Sequence, residues 1–68
     1  MTAYRIYLVG ASGRLQLGEA FQAPGDAEAI EAARALAPAG QVAELWAGGR
    51  LVGRFSRTGD FAPGGERG

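Results

Sequence analysis

Sixty-eight residues with seven arginines, seven acidic residues and no lysine, histidine or cysteine form a neutral chain, close to the smallest size that folds without staples. Disulfides, thiol chemistry and Cys/His zinc sites are excluded, and no net field draws in DNA or an anionic membrane. The apolar fraction is 47%, but 14 of those residues are alanines, so the core of large side chains is thin and self-association would widen a narrow stability margin.

Tyr4 to Val9 alternates as Tyr4, Ile6, Leu8 against Arg5, Tyr7, Val9, which is strand periodicity. Gly10-Ala11-Ser12-Gly13 is turn chemistry, and Arg14 to Phe21 alternates again. Setting Leu8 opposite Leu15 and Ile6 opposite Leu17 makes pattern and register agree. Pro24-Gly25-Asp26 then breaks the strand. Asp26 reads as the N-cap of a helix over 27–37, with Glu28 favourable in its first turn. Ile30, Ala33, Leu36 and Ala37 share one helical face, Glu28, Glu31 and Arg34 lie on the other, and Pro38 and Gly40 end the helix.

Gln41 to Trp46 and Leu51 to Phe55 predict a second hairpin, closed by a Gly48-Gly49 turn compatible with type I′. That turn pairs Trp46 with Leu51, Leu45 with Val52, Glu44 with Gly53, and Val42 with Phe55. The domain thus runs over 3–56. Residues 57–68, polar and rich in Gly and Pro with Phe61 isolated among them, read as a disordered tail. The expected fold is α+β: ββαββ, a four-stranded antiparallel sheet in the order 2-1-3-4 with one helix packed on one face.

Sorting by alternation puts Tyr4, Ile6, Leu8, Leu15, Leu17, Phe21, Val42, Trp46, Leu51 and Phe55 under the helix. The opposite face then collects Arg5, Tyr7, Val9, Arg14, Gln16, Leu45, Arg50, Val52 and Arg54. Glu44 is the misfit, a carboxyl on the core face between Val42 and Trp46. If it is buried there without a partner, Glu44→Gln should stabilise the fold.

Tyr7 to Leu15 looks like the strand and glycine-rich turn that open nicotinamide-dependent reductases, where the turn runs into a helix. Here period two continues through Leu15, Leu17 and Phe21, so a strand follows and a hairpin turn explains the glycines. Gly10-x-x-Gly13 also matches the GxxG loop of KH domains, but that loop joins two helices. Catalysis has little to work with. Without His, Cys or Lys a nucleophile would need activation by Arg or a carboxylate, and only Glu44, with Glu19 on its face, escapes a structural explanation. Tautomerases of similar size use an N-terminal proline, where this chain has Thr2.

The stretch Glu44-Leu45-Trp46-Ala47-Gly48-Gly49-Arg50-Leu51-Val52 resembles an "ELWxGxRxV" hairpin of short bacterial proteins of unassigned function. The likeness covers about residues 4–55. It implies a ββαββ fold and brings no activity.

The function expected is a non-enzymatic protein-interaction module, acting as a homodimer or on a larger partner, with no cofactor and no metal. Its candidate face is Arg5, Tyr7, Arg14, Gln16, Leu45, Arg50, Val52 and Arg54, a mixture of Arg, Tyr, Leu and Val suited to a protein. The alternative is single-stranded nucleic acid held by the arginines of that face, with Tyr7 as the one stacking aromatic. No apolar run approaches the roughly 18 residues of a membrane span, and Met1-Thr2-Ala3-Tyr4 lacks the features of a secretory signal. A cytoplasmic location is expected.

Overall fold

Both period-two pairs become hairpins, and the alanine-rich segment between them becomes the helix. The computed structural model describes residues 1–64. It contains β1 (Thr2–Val9), β2 (Leu15–Ala23), α1 (Asp26–Leu36), β3 (Val42–Ala47), β4 (Arg50–Phe55) and β5 (Phe61–Pro63). The strands form one five-stranded antiparallel sheet in the order β2-β1-β3-β4-β5. β2 and β3 both run antiparallel to β1, hence parallel to each other, so the chain must cross a sheet face between them. α1 makes that crossing. It is the only helix among the described residues, and it is too short to cross a membrane.

Small side chains set the helix close to the sheet. Ala29 and Ala33 are fully buried against a layer made by Tyr4, Ile6, Ala23, Ala43, Leu45 and Phe55. Burying Ile6, Leu45 and Phe55 contributes roughly 1.5–3 kcal/mol each. Arg34, expected on the exposed side of the helix, lies over the Phe55 ring at 5.6 Å and donates to the Gly59 carbonyl at 3.0 Å. At the C-terminus Ala37, extended ahead of Pro38, donates to Ala33 O at 2.8 Å.

The start of the helix differs from expectation. Gly25 is the N-cap, in extended conformation and with no side-chain cap, and Asp26 is the first helical residue. The Asp26 carboxylate instead accepts from Tyr4 Oη at 2.8 Å and from both Arg50 terminal nitrogens at 3.0 and 3.2 Å. Charge-assisted donors outcompete a backbone N–H for the same oxygens.

The sheet also has a strand more than expected. Within the segment read as a disordered tail, Phe61–Pro63 pairs with β4, and the Phe61 ring packs against Phe55 with centroids 5.0 Å apart and planes inclined at 56°. Residues 65–68 of that tail lie outside the described residues. The turn into β5 repeats the first hairpin. In each, the loop's third residue is a glycine at positive φ (Gly13 at 82°, Gly59 at 91°), with matching backbone bonds Gly13 N to Gly10 O and Gly59 N to Ser56 O. At the central hairpin only Gly48 takes positive φ, which excludes type I′ and fits the φ pattern of type II′.

The two faces of the sheet differ most from expectation. Ile6 pairs with Leu45 and Leu8 with Ala43, so Ala43, Leu45 and Ala47 face the helix while Val42, Glu44 and Trp46 face away. β2 carries a bulge: Gly18 and Glu19 together oppose Ile6, which swings Leu15 and Leu17 away from the helix although Phe21 stays under it. Gly18 permits this, because a Cβ there would lie 2.8 Å from the Ile6 carbonyl oxygen. β4 carries a second bulge at Val52. The expected Trp46–Leu51 pair forms, but Leu45 then meets Gly53, Glu44 meets Arg54 and Ala43 meets Phe55. The physical reason for the inversion is Glu44: turning Trp46 inward would carry this carboxylate into the core with it.

Candidate functional site

With α1 covering one face, the other face of the sheet is open, and the register orders its central part in three rows. The first runs Leu15, Val9, Val42 across β2, β1 and β3. The second runs Leu17, Tyr7, Glu44, Arg54, and the third Ala20, Arg5, Trp46, Leu51. Leu15 and Leu17 are 48% and 69% exposed, unusual for leucines on ordered strands.

Glu44 holds the centre. It is only 8% exposed, yet both its oxygens are engaged: Oε1 accepts from Trp46 Nε1 at 3.1 Å and Oε2 from Arg54 Nη2 at 2.7 Å. Both donors sit on its own face because Trp46 is two residues along β3 and Arg54 is directly across on β4. The Tyr7 ring meets Trp46 edge-on, centroids 6.3 Å apart at 78°. Arg5 donates from Nη1 to the Gly18 carbonyl at 3.2 Å, and no ion pair forms to it among the described residues. Arg5, Tyr7 and Trp46 border a shallow depression of about 230 Å³ with Ala3, Ala20 and Gly48. The centre is therefore a pre-ordered patch with one unpaired cation and two partly covered aromatic rings. Each oxygen of its single carboxylate is held by a donor of the same face.

Of the residues expected on the binding face, Arg5, Tyr7 and Arg54 lie together on it. Arg14 is exposed in the turn that leads into β2, and Gln16 is exposed on the helix side opposite Leu8. Leu45 is fully buried and Val52 nearly so, both packed in the core. Arg50 reaches round the helix side to Asp26. Val42, Trp46, Glu44, Leu15, Leu17 and Leu51 are the members of the open face that alternation assigns to the core. The available signal was Glu44 itself, whose side chain marks the solvent parity of β3.

A second polar cluster, Tyr4–Asp26–Arg50, ties the start of α1 to β1 and β4. The Arg50 guanidinium, helped by the Tyr4 hydroxyl, holds the Asp26 carboxyl below its ordinary range. Burial, then the Asp26 hydrogen bond, pushes the Tyr4 phenol up. Asp26 in turn raises Arg50, so all three keep their neutral-pH charge states, and the cluster acts as a latch. Among the described residues no group of three acidic, His or Cys side chains could hold a metal ion.

Comparison with known proteins returns no match: no family model fits the chain, and neither a curated protein nor a solved structure matches it.

Proposed function

We propose that this chain is a small non-enzymatic protein-interaction module that binds through its open sheet face, as a homodimer or on a larger partner. One observation carries the reading: a sheet face lined by Leu15, Leu17, Val9, Val42, Leu51, Tyr7 and Trp46 is left uncovered, with its one acid already neutralised. Such a face loses little on desolvation. Aromatic and arginine side chains amid aliphatic ones, with few free charges, are the composition that protein interfaces favour. The test is a quantitative affinity capture from the native host with the wild type, Trp46→Ala, Leu51→Arg and a helix-face control, Glu31→Arg. A protein captured by the wild type and the control, and lost with both open-face variants, supports the reading. Capture that ignores the open face refutes it.

A second reading has its own observation. Tyr7 and Trp46 lie on adjacent central strands with Arg5 beside them, an arrangement on which single-stranded nucleic acid could stack. The neutral chain and the leucines weigh against it. Quenching of Trp46 fluorescence by mixed-sequence oligonucleotides at low salt, lost with Arg5→Ala and at high salt, would establish it in place of the first.

A further inference from the structure

We propose that two copies of this chain join through the outer edges of their β2 strands, antiparallel about a two-fold axis at Gln16, making one continuous sheet. This deepens the self-association part of the reading above and rests on that part alone.

The two edges of the sheet differ. β5 is three residues long and includes Pro63, whose missing N–H spoils pairing. β2 is nine residues long, without Pro or Lys, and Glu19 is its only charge. It lacks the usual protection of an edge until the bulge at Gly18 and Glu19. The orientation of its free backbone groups follows from the ladder. Gly10 N donates to Arg14 O, so Arg14 points toward β1, and alternation makes Gln16 point the same way. Leu15 and Leu17 therefore aim their N–H and C=O groups outward.

Only some registers satisfy an antiparallel two-fold. Paired residues must share a face, and the bonded pairs must use the outward groups. Centring the axis on Gln16 meets both conditions ahead of the bulge: Leu15 pairs with Leu17 of the second copy, and Leu17 with its Leu15. The four leucines then meet on the open face, which accounts for two exposed aliphatic side chains on an ordered strand. Charge agrees. Arg14 and Glu19 are exposed and form no ion pair among the described residues. Glu19 lies toward the helix side, in a depression with Leu36 and Pro38, and Arg14 has the parity of that side. The register brings Arg14 of each copy diagonally next to Glu19 of the other, twice by symmetry. The chain's zero net charge adds no long-range repulsion. Joining the edges also fuses the two open faces into one surface.

Sedimentation equilibrium up to about millimolar concentration, the range in which a small interface is populated, is the primary test. A concentration-dependent dimer is expected, and a strict monomer overturns the proposal. Arg14→Glu and Glu19→Arg should each weaken the dimer roughly three- to tenfold, and the double exchange should restore it. Leu17→Pro removes an outward donor without touching the ladder to β1 and should leave a folded monomer by circular dichroism. An independent register test needs no loss of folding. Gln16 lies opposite itself in a non-bonded pair, where Cα atoms are about 4.5 Å apart, within disulfide reach. In this cysteine-free chain Gln16→Cys should cross-link into a covalent dimer far faster than Gln22→Cys. Equal cross-linking, failure of the charge exchange to rescue, or dissociation by Leu51→Arg but not by Leu17→Pro would each overturn the edge pairing. In the last case the open face itself, and with it the broader reading, would still stand.

Discussion

Gly53→Ala should unfasten β5. A Cβ on Gly53 would stand 2.1 Å from Phe61 Cζ, 2.5 Å from its Cε1 and 2.6 Å from the Ala62 carbonyl oxygen. The ring can yield only by leaving Phe55, and the oxygen only by moving the strand, so relieving both clashes requires β5 to lift from β4. Gly53 does not have positive φ, so its backbone accepts alanine and the cost is purely steric. Overpacking of this kind costs about 1–3 kcal/mol, against about 0.5–1 kcal/mol gained by replacing glycine within a strand. The net loss, centred near about 1 kcal/mol, corresponds to a melting temperature lower by roughly 4–8 °C in a chain this small. Thermal melts by circular dichroism measure it directly. In a Phe61→Ala background two of the three clashes vanish, so the added cost of Gly53→Ala should fall by about half or more, a non-additivity expected of residues in contact. An unchanged or raised melting temperature in the wild-type background, or an equal cost in both backgrounds, would refute the seating of Phe61 over Gly53.

Deleting residues 58–68 removes the same contacts. It should lower the melting temperature by several degrees, through partial exposure of Phe55 and loss of an aromatic pair worth about 0.5–1.5 kcal/mol, and an unchanged melt would mean that β5 adds nothing. Glu44→Gln, which would stabilise the fold if the carboxyl were buried unpaired, should instead destabilise it in urea melts at neutral pH. The expected cost is about 0.5–1 kcal/mol, kept small because Arg54 is itself largely exposed. Asp26 titrates below its ordinary range, first because Arg50 bonds it and then because Tyr4 does. Its contribution is therefore present above the ordinary carboxylate range and lost as pH falls through the lowered value. The melting-temperature gap between wild type and Asp26→Asn should be open at neutral pH and narrow as pH falls below the ordinary carboxylate range, and a gap independent of pH would contradict this latch.

The α+β class, both hairpins and the helix were legible in the sequence because each rests on a local signal, and the order 2-1-3-4 follows from a helix that returns the chain so that the third strand runs antiparallel to the first. Period two over Tyr4 to Val9 and Gln41 to Trp46 specifies strands. Glycine turns close them, and Pro24-Gly25 and Pro38 bound the helix at nearly the right residues. Arg5, Tyr7 and Arg54 were placed on the open face for the same reason. Alternation divides a strand into two faces, however, without saying which of them is inside. For β3 that was decided by long-range pairing of Leu45 with Ile6 and by the cost of burying Glu44, which together put Trp46 outside and Leu45 in the core. The bulges at Gly18–Glu19 and Val52 then moved Leu15, Leu17 and Val52 to faces opposite those their parity implied, since one extra residue inverts everything beyond it. β5 is too short to carry a period of its own. It forms because Gly53 leaves room for the Phe61 ring against Phe55 and because Arg34 holds the turn at Gly59, contacts between segments that only the folded chain brings together.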